Sequence, residues 1–206
     1  MRNNLKKIIV LFVVAILMMG TALTVYAEDG CTTDSAGNVF FAGDDVEISS
    51  GTYFGGFGAG TNVSFVNSVA DDSIALAGMN VKFDSSSAVS SVYLAGNSVV
   101  VSDSIIGGNI VAAGASVVVD SDTVSKSVIA FGTKIEVDGS SSALTLVGEE
   151  VVINGTVEGD VTVDATTVKI GENAVIGGSA FITSSVPANT TVAVKNPELT
   201  IRGPKS

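Results

Sequence analysis

From residue 38 onward, apolar and polar positions alternate in a phrase that returns about every eighteen residues. It reads "AGDDVEI", "AGTNVSF", "AGMNVKF", "AGNSVVV", "AGASVVV", "FGTKIEV", "VGEEVVI" and "DATTVKI". The anchors are Gly43, Gly60, Gly78, Gly96, Gly114, Gly132, Gly148 and Ala165, spaced 17, 18, 18, 18, 18, 16 and 17 residues apart. Three residues after each anchor stands a β-branched aliphatic, from Val46 and Val63 through Ile135 to Val168. Two further on comes a second apolar residue, from Ile48 and Phe65 to Ile170. Alternation with period two marks a half-buried strand. A second strand precedes the anchor, at pairs such as Ile74/Leu76, Val92/Leu94, Ile110/Ala112 and Leu144/Leu146. A weaker third apolar position falls nine to eleven residues past the anchor, at Val89, Ile106, Val124, Val157 and Val175.

Three short strands per repeat, with no helix-length segment between them, predict an all-β fold. It is a single-stranded right-handed parallel β-helix, or solenoid, of about 8–9 rungs of ~18 residues over residues 38–202. No single coil can bury its inward side chains; stacking places Val81 under Val99 under Val117, each about 4.8 Å above the last. Every Val or Ile covered in this way contributes on the order of 1.5–3 kcal/mol. The rungs together would make a rod roughly 40 Å long at that spacing. Pro187, Pro197 and Pro204 are the only prolines, so none interrupts the ladder before residue 187. The stretch "GGSAFITSSVPANTTVAV" predicts a loop around Pro187, a 24-residue step from Val168 to Val192 and a last coil near Thr191–Val194. "KNPELTIRGPKS" predicts one more short strand, with residues 203–206 as a tail.

The glycine-rich stretch "GTYFGGFGAGTNVSF", residues 51–65, invites a phosphate-loop or calcium-nonapeptide reading. A phosphate loop needs a helix N-terminus after it, and here a strand follows. The calcium nonapeptide needs Asp where Gly60 stands, and the stretch occurs once. Gly60 is instead the rung anchor, where glycine permits a tight corner through positive φ or close backbone approach. Gly56 and Gly58 fall at inward strand positions, which predicts a thin, weak coil there. No nucleotide, cofactor or metal is expected.

Charge and export narrow the partners. The chain opens with Arg2, Lys6 and Lys7, then an apolar run from Ile8 to Met19 and the close Val25-Tyr26-Ala27. That order predicts a signal peptide over residues 1–27, cut after Ala27, and hence a secreted or extracytoplasmic protein. The alternative is an uncleaved membrane anchor over residues 8–27, since a spanning helix needs about twenty residues. Cleavage removes three cations and no acid, taking the net charge from −11 to −14. Such a surface repels nucleic acid and anionic lipid, leaving the membrane as a partner only through residues 1–27 if uncleaved. Cys31 is the single cysteine, so no internal disulfide is available. It lies in residues 28–37, a short polar segment; "EDGCTTDSAGN" is too short and polar to be an amphipathic cap for the first coil.

At "GTVEGDVTVDATTVKIGENAVIGGSAFI", residues 155–182, the chain resembles the bactofilins, a family of polymer-forming bacterial cytoskeletal proteins. Their phrase of an aliphatic, any residue, Gly-Asp or Gly-Asn and an aliphatic stands here as Val157-Glu158-Gly159-Asp160-Val161. It recurs as Ile106-Gly107-Gly108-Asn109-Ile110, and loosely as Ile176-Gly177-Gly178-Ser179-Ala180. The resemblance implies a right-handed parallel β-helix whose subunits join end to end without nucleotide. Bactofilins usually work inside the cell, so with an export signal their cytoplasmic roles do not carry over.

Three functions follow as expectations. The first is an exported structural protein of the bacterial envelope that self-associates end to end, with possible cell-wall contact. The second is a surface adhesin or binding module. No aromatic stripe is expected on outer positions: Tyr53, Phe54 and Phe57 cluster on one coil and Tyr93 stands alone, which favours core or cap packing. The third, less favoured, is a polysaccharide-active enzyme. From Gly43 to Ala165 no repeat exceeds 18 residues, so no long loops wall a cleft. A column six residues past the anchor carries Asp84, Ser102, Asp120, Asp138 and Asn154. Asp120 and Asp138, neighbours on adjacent rungs about 5 Å apart, could seat a cation or paired carboxylates. The plainer reading is a corner favouring side chains that bond nearby backbone. The acid pairs Asp44/Asp45, Asp71/Asp72 and Glu149/Glu150 are read as solubilising. No residue is assigned to catalysis, cofactor or metal.

Overall fold

The computed structural model describes residues 30–184, 190–192 and 199–201. Residues 1–27, expected as a signal peptide or anchor, and the positions of the expected loop around Pro187 and of the expected tail lie outside them. The chain forms a β-solenoid of about eight turns with mostly parallel strands. Ladder partners run in the register that the repeat predicts: Val63 pairs with Val81, Val81 with Val99, Val99 with Val117 and Val117 with Ile135. Each of these five side chains is buried in one continuous core.

The expected three separate strands are fewer and longer. Val39–Ser49, Gly56–Val66 and Ile74–Asp84 each pass through their anchor glycine unbroken, and a two-residue strand follows each. Farther on, Ile105–Val119 joins one short strand to the whole of the next coil. The exception is Gly96, which falls between the separate strands Val92–Ala95 and Ser98–Ser102. The anchor glycines share a different constraint. A Cβ on Gly78 would lie 2.6 Å from the carbonyl oxygen of Gly60; on Gly96, 2.7 Å from that of Gly78; on Gly114, 2.6 Å from that of Gly96. Close approach between stacked coils therefore selects glycine at Gly78, Gly96 and Gly114.

The third inward column departs from expectation at three of its five positions. Ile106 and Val157 do point inward, but Val89, Val124 and Val175 are exposed, and Ala88, Ser125 and Ile176 stand in the core instead. The ladder fixes this: Ala70 pairs with Ala88, Ala88 with Ile106, Ile106 with Ser125, and Val157 with Ile176. Corner length is the cause at Val124 and Val175; before Val89 the corner has the same three residues as before Ile105, and the smaller Ala88 simply holds the inward place. Three residues separate Val101 from Ile105, four separate Val119 from Val124, and two separate Val137 from Ser140. Counting from the anchor thus slips by one, and one residue exchanges inside for outside.

The coil containing Gly56 and Gly58 is not thin. The ring of Phe41, from the coil before, occupies the room that a side chain at Gly58 would need. Phe65 then stacks on Phe83 at a centroid distance of 5.4 Å, and Tyr53 tilts against Phe65 at 6.1 Å. Aromatic volume thus fills this end of the core.

The N-terminal segment is also corrected. Strand β1, Gly30–Thr33, lies antiparallel on the first half of β2, Val39–Ser49, pairing Cys31 with Phe41 and Thr33 with Val39. Asp34 holds the turn: its carboxylate accepts hydrogen bonds from the amides of Ala36 and Asn38, both at 2.9 Å, and from the Asn38 side chain. A polar segment serves as a cap because it caps through backbone pairing, which needs no apolar face.

At the other end Thr190–Val192 pairs with Val168–Ile170, and Leu199–Ile201, the further strand expected there, pairs with Ala180–Ile182. Thr190, not Val192, stands on Val168, so Val192 continues the Ile170 column.

Candidate functional site

The corner after the second inward residue is built from hydroxyls and carboxylates. Ser50, Asn67, Ser85 and Asp103 adopt left-handed backbone with φ between 46° and 57°. The residues after the last three of these, Ser68, Ser86 and Ser104, are buried. The Ser68 hydroxyl donates to the Val66 carbonyl, and that of Ser86 to the Asp84 carbonyl. Ser86 and Ser104 also accept from the coil before them: the Ser68 amide donates to Ser86 Oγ at 3.1 Å and the Ser86 amide to Ser104 Oγ at 3.2 Å. This ladder satisfies backbone groups that the corner would otherwise orphan.

The acidic column belongs to the same corner. Ser102 donates its hydroxyl to Asp84, whose carboxylate also pairs with Lys82 at 2.8 Å. Those bonds, Lys82 foremost and Ser102 next, hold the Asp84 carboxyl below its ordinary value. Asp120 accepts from the Thr123 hydroxyl at 2.9 Å and the Asp103 amide at 3.2 Å. Asp138 instead accepts from the Asn154 side chain at 2.7 Å. Corners of different length turn the Asp120 and Asp138 carboxylates to separate partners, which is the geometry of a corner that bonds its own neighbours. Among the described residues no three His, Cys, Asp or Glu side chains converge as a metal would require.

The acid pairs are mostly solvent-facing. Asp44, Asp45, Asp71 and Glu149 are exposed, while Asp72 and Glu150 are half-buried. Lys169 reaches Glu150 at 2.9 Å and draws its carboxyl below the usual range. Asp45 begins a side-chain ladder: Asn62 donates to it, and Asn80 donates to Asn62 at 2.6 Å.

The Gly-Asp and Gly-Asn phrases also occupy a corner. Val157 and Val161 point inward on either side of it, Glu158 is exposed, and Asp160 accepts from the Ser179 amide at 2.8 Å. Asn109 accepts the Ser127 hydroxyl at 2.8 Å in the equivalent place. The phrase therefore encodes how the chain leaves its short strand and starts the next coil.

Two surfaces lie outside these ladders. Over Gly43–Ser49, β2 pairs on one side only among the described residues, with Asn62 and its neighbours. Val46 there is only partly buried, whereas Val63 beneath it is fully buried. The second surface corrects the expectation for the aromatics. Phe40 pairs with Phe57, Phe57 with Ala75, Ala75 with Tyr93, Tyr93 with Val111 and Val111 with Ile129. These side chains form a single outward column, with Phe40 and Tyr93 about 40% exposed. Tyr53 does pack on the core, while Phe54 is exposed. The missed signal is a loss of alternation before the anchor, in segments such as "VFFAG" and "IVAAG". Cys31 is free and exposed on β1.

No protein-family profile, no curated protein and no solved structure matches this chain.

Proposed function

We propose that the protein is an exported, bactofilin-like structural protein whose rods associate end to end in the bacterial envelope. One observation carries this reading: the half-strand Gly43–Ser49 has a ladder partner on one side only among the described residues. A strand edge presents unpaired N–H and C=O groups to any chain that can align with it. Pairing there by the far end of a second rod would continue the ladder and cover Val46. Such a head-to-tail contact does not close on itself, so it propagates as a filament. The acids Asp44, Asp45 and Glu47 on the half-strand favour a partner end that carries cations.

The test is negative-stain microscopy and sedimentation velocity on the full chain. Rods whose lengths are multiples of a unit support the reading, and Val46→Lys should shorten them to single units. A protein that stays one unit long at high concentration sinks it.

A further inference from the structure

Neither end of the described rod is flat. At the first coil β1 covers Val39–Ala42 only, so the half before Gly43 stands one strand higher than the half after it. At the far end Thr190–Val192 rests directly on Val168–Ile170, the second half of strand Val161–Ile170. On the first half of that strand lies Ala180–Ser184, and Leu199–Ile201 rests on top of it. The half before the anchor is therefore one strand higher here too. When the far end of one rod meets the first coil of another, β1 and Leu199–Ile201 touch first. Two strand places then stay empty between Thr190–Val192 and Gly43–Ser49, a separation of about 14 Å at ~4.8 Å per strand.

β1 also interrupts what the coils repeat. It runs antiparallel, whereas the ladders along Val39–Ser49, Ile105–Val119 and Val161–Ile170 are parallel. Cys31 stands opposite Phe41 and Thr33 opposite Val39, each on the side of a buried partner, yet all four residues of β1 are exposed. The far end carries what β1 lacks. Followed coil by coil, the Val39 column runs through Ile74, Ile110 and Val161 to Leu199. The Phe41 column runs through Leu76, Leu146 and Val163 to Ile201. With Leu199–Ile201 of a second copy in the place of β1, Leu199 would stand on Val39 and Ile201 on Phe41, parallel and in register. Apolar residues would then replace Thr33 and Cys31 in both columns.

Local charge assigns the two ends to each other. Residues 28–81 hold eight acids and no Lys or Arg, whereas residues 190–206 hold Lys195, Arg202 and Lys205 against Glu198 alone. The net charge opposes contact between like surfaces, but these ends are unlike. Two first coils repel, while a first coil and a far end attract.

We infer that β1 is an autoinhibitory strap: paired with Val39–Ala42 it holds the first coil closed to a second rod, and its release opens all of Val39–Ser49. The inference rests on the end-to-end reading above and adds its control. β1 buries no side chain of its own, and segments with few buried apolar contacts open most readily. Asp34, bonded to the amides of Ala36 and Asn38, sets the turn that returns the strap to β2. Joining is weakened in proportion to the fraction of molecules whose strap is closed.

A switchable lock tests this within one protein. Thr32 and Phe40 are ladder partners, and directly opposed residues lie within disulfide range. The full chain carrying Cys31→Ser/Thr32→Cys/Phe40→Cys is compared oxidised and reduced by negative-stain microscopy and sedimentation velocity. The oxidised form, monomeric on a non-reducing gel, should stay one unit long. Reduction should restore end-to-end rods, with the same β-sheet circular dichroism in both states. Independently, Asp34→Ala should form rods at about tenfold lower concentration than the parent. Equal rod lengths in the oxidised and reduced states, or an Asp34→Ala protein that matches a rod-forming parent, overturn the strap and leave the end-to-end reading standing. Longer rods in the oxidised state would make β1 part of the joint and also overturn it. If neither the reduced form nor Asp34→Ala forms rods at any concentration, both readings fall.

Discussion

The ring of Phe41 sits where a side chain on Gly58 would have to go: a Cβ built on Gly58 would fall among its Cε and Cζ atoms, and the ring is buried. Bulk missing from one coil is thus supplied by the coil before it. Gly58→Ala should destabilise by about 1–3 kcal/mol through overpacking. Phe41→Ala should cost about 3–5 kcal/mol through the cavity it leaves. Phe41→Leu combined with Gly58→Ala should cost clearly less than the two single changes added. Urea denaturation of the parent, the single variants Gly58→Ala, Phe41→Ala and Phe41→Leu, and the double variant measures these values, with additivity judged against Gly58→Ala and Phe41→Leu.

At Gly96 the obstacle is backbone. A methyl would stand 2.7 Å from the Gly78 carbonyl oxygen, and a carbonyl inside a ladder cannot swing away as a side chain can. Gly-to-Ala in an ordinary strand interior gains about 0.5–1 kcal/mol. Gly96→Ala should instead lower stability by about 1–3 kcal/mol, the range for forced backbone shifts. An unchanged or raised denaturation midpoint would refute close approach as the reason for the anchor.

Ser125 and Ser141 pair across adjacent coils in the core, and neither hydroxyl finds a hydrogen-bond partner among the described residues. Ala70 and Ala88 hold the same column, so alanine fits it. Ser125→Ala and Ser141→Ala should each raise stability by about 1 kcal/mol, by removing an unsatisfied buried hydroxyl. Ser86→Ala should do the reverse by about 1–3 kcal/mol, because its hydroxyl serves both the Ser68 amide and the Asp84 carbonyl. Thermal melts of the three variants distinguish the two kinds of serine.

Acid should release β1 before it affects the core. Bonds from the Asn38 side chain first, and from backbone amides after it, hold the Asp34 carboxyl below its ordinary value. A carboxyl lowered in the folded state stabilises fully above its unfolded value and loses that contribution as pH falls through the folded one. Amide-exchange protection over Gly30–Thr33 should therefore fall only once the pH drops below the ordinary carboxyl value of 3.8, while that of Ile135–Val137 persists. Asp34→Ala should show the weakened cap at neutral pH as well.

Much of the fold is legible along the chain because a solenoid repeats its contacts at one sequence distance. The Val81, Val99, Val117 column and the anchor glycines could be aligned by eye, since each is a local phrase at a nearly constant step. The third column could not. Val124 is a better apolar residue than Ser125, and only the four-residue corner before it turns Val124 outward. The outward Phe40–Tyr93 column was written in the same segments, but searching for aromatics alone hides it, because Ala75, Val111 and Ile129 complete it.

The sequence by itself determined the all-β class, the period and the stacking of like on like, because alternation and spacing are properties of a chain before it folds. Tertiary structure decided what depends on meetings between coils. It set which corner residue points inward, that Phe41 fills the room beside Gly58, that a polar strand caps half of the first coil, and that six outward positions join into one uncharged face. Pairs between coils join residues some sixteen to nineteen positions apart, and corner length, which no local pattern fixes, governs which of them face each other.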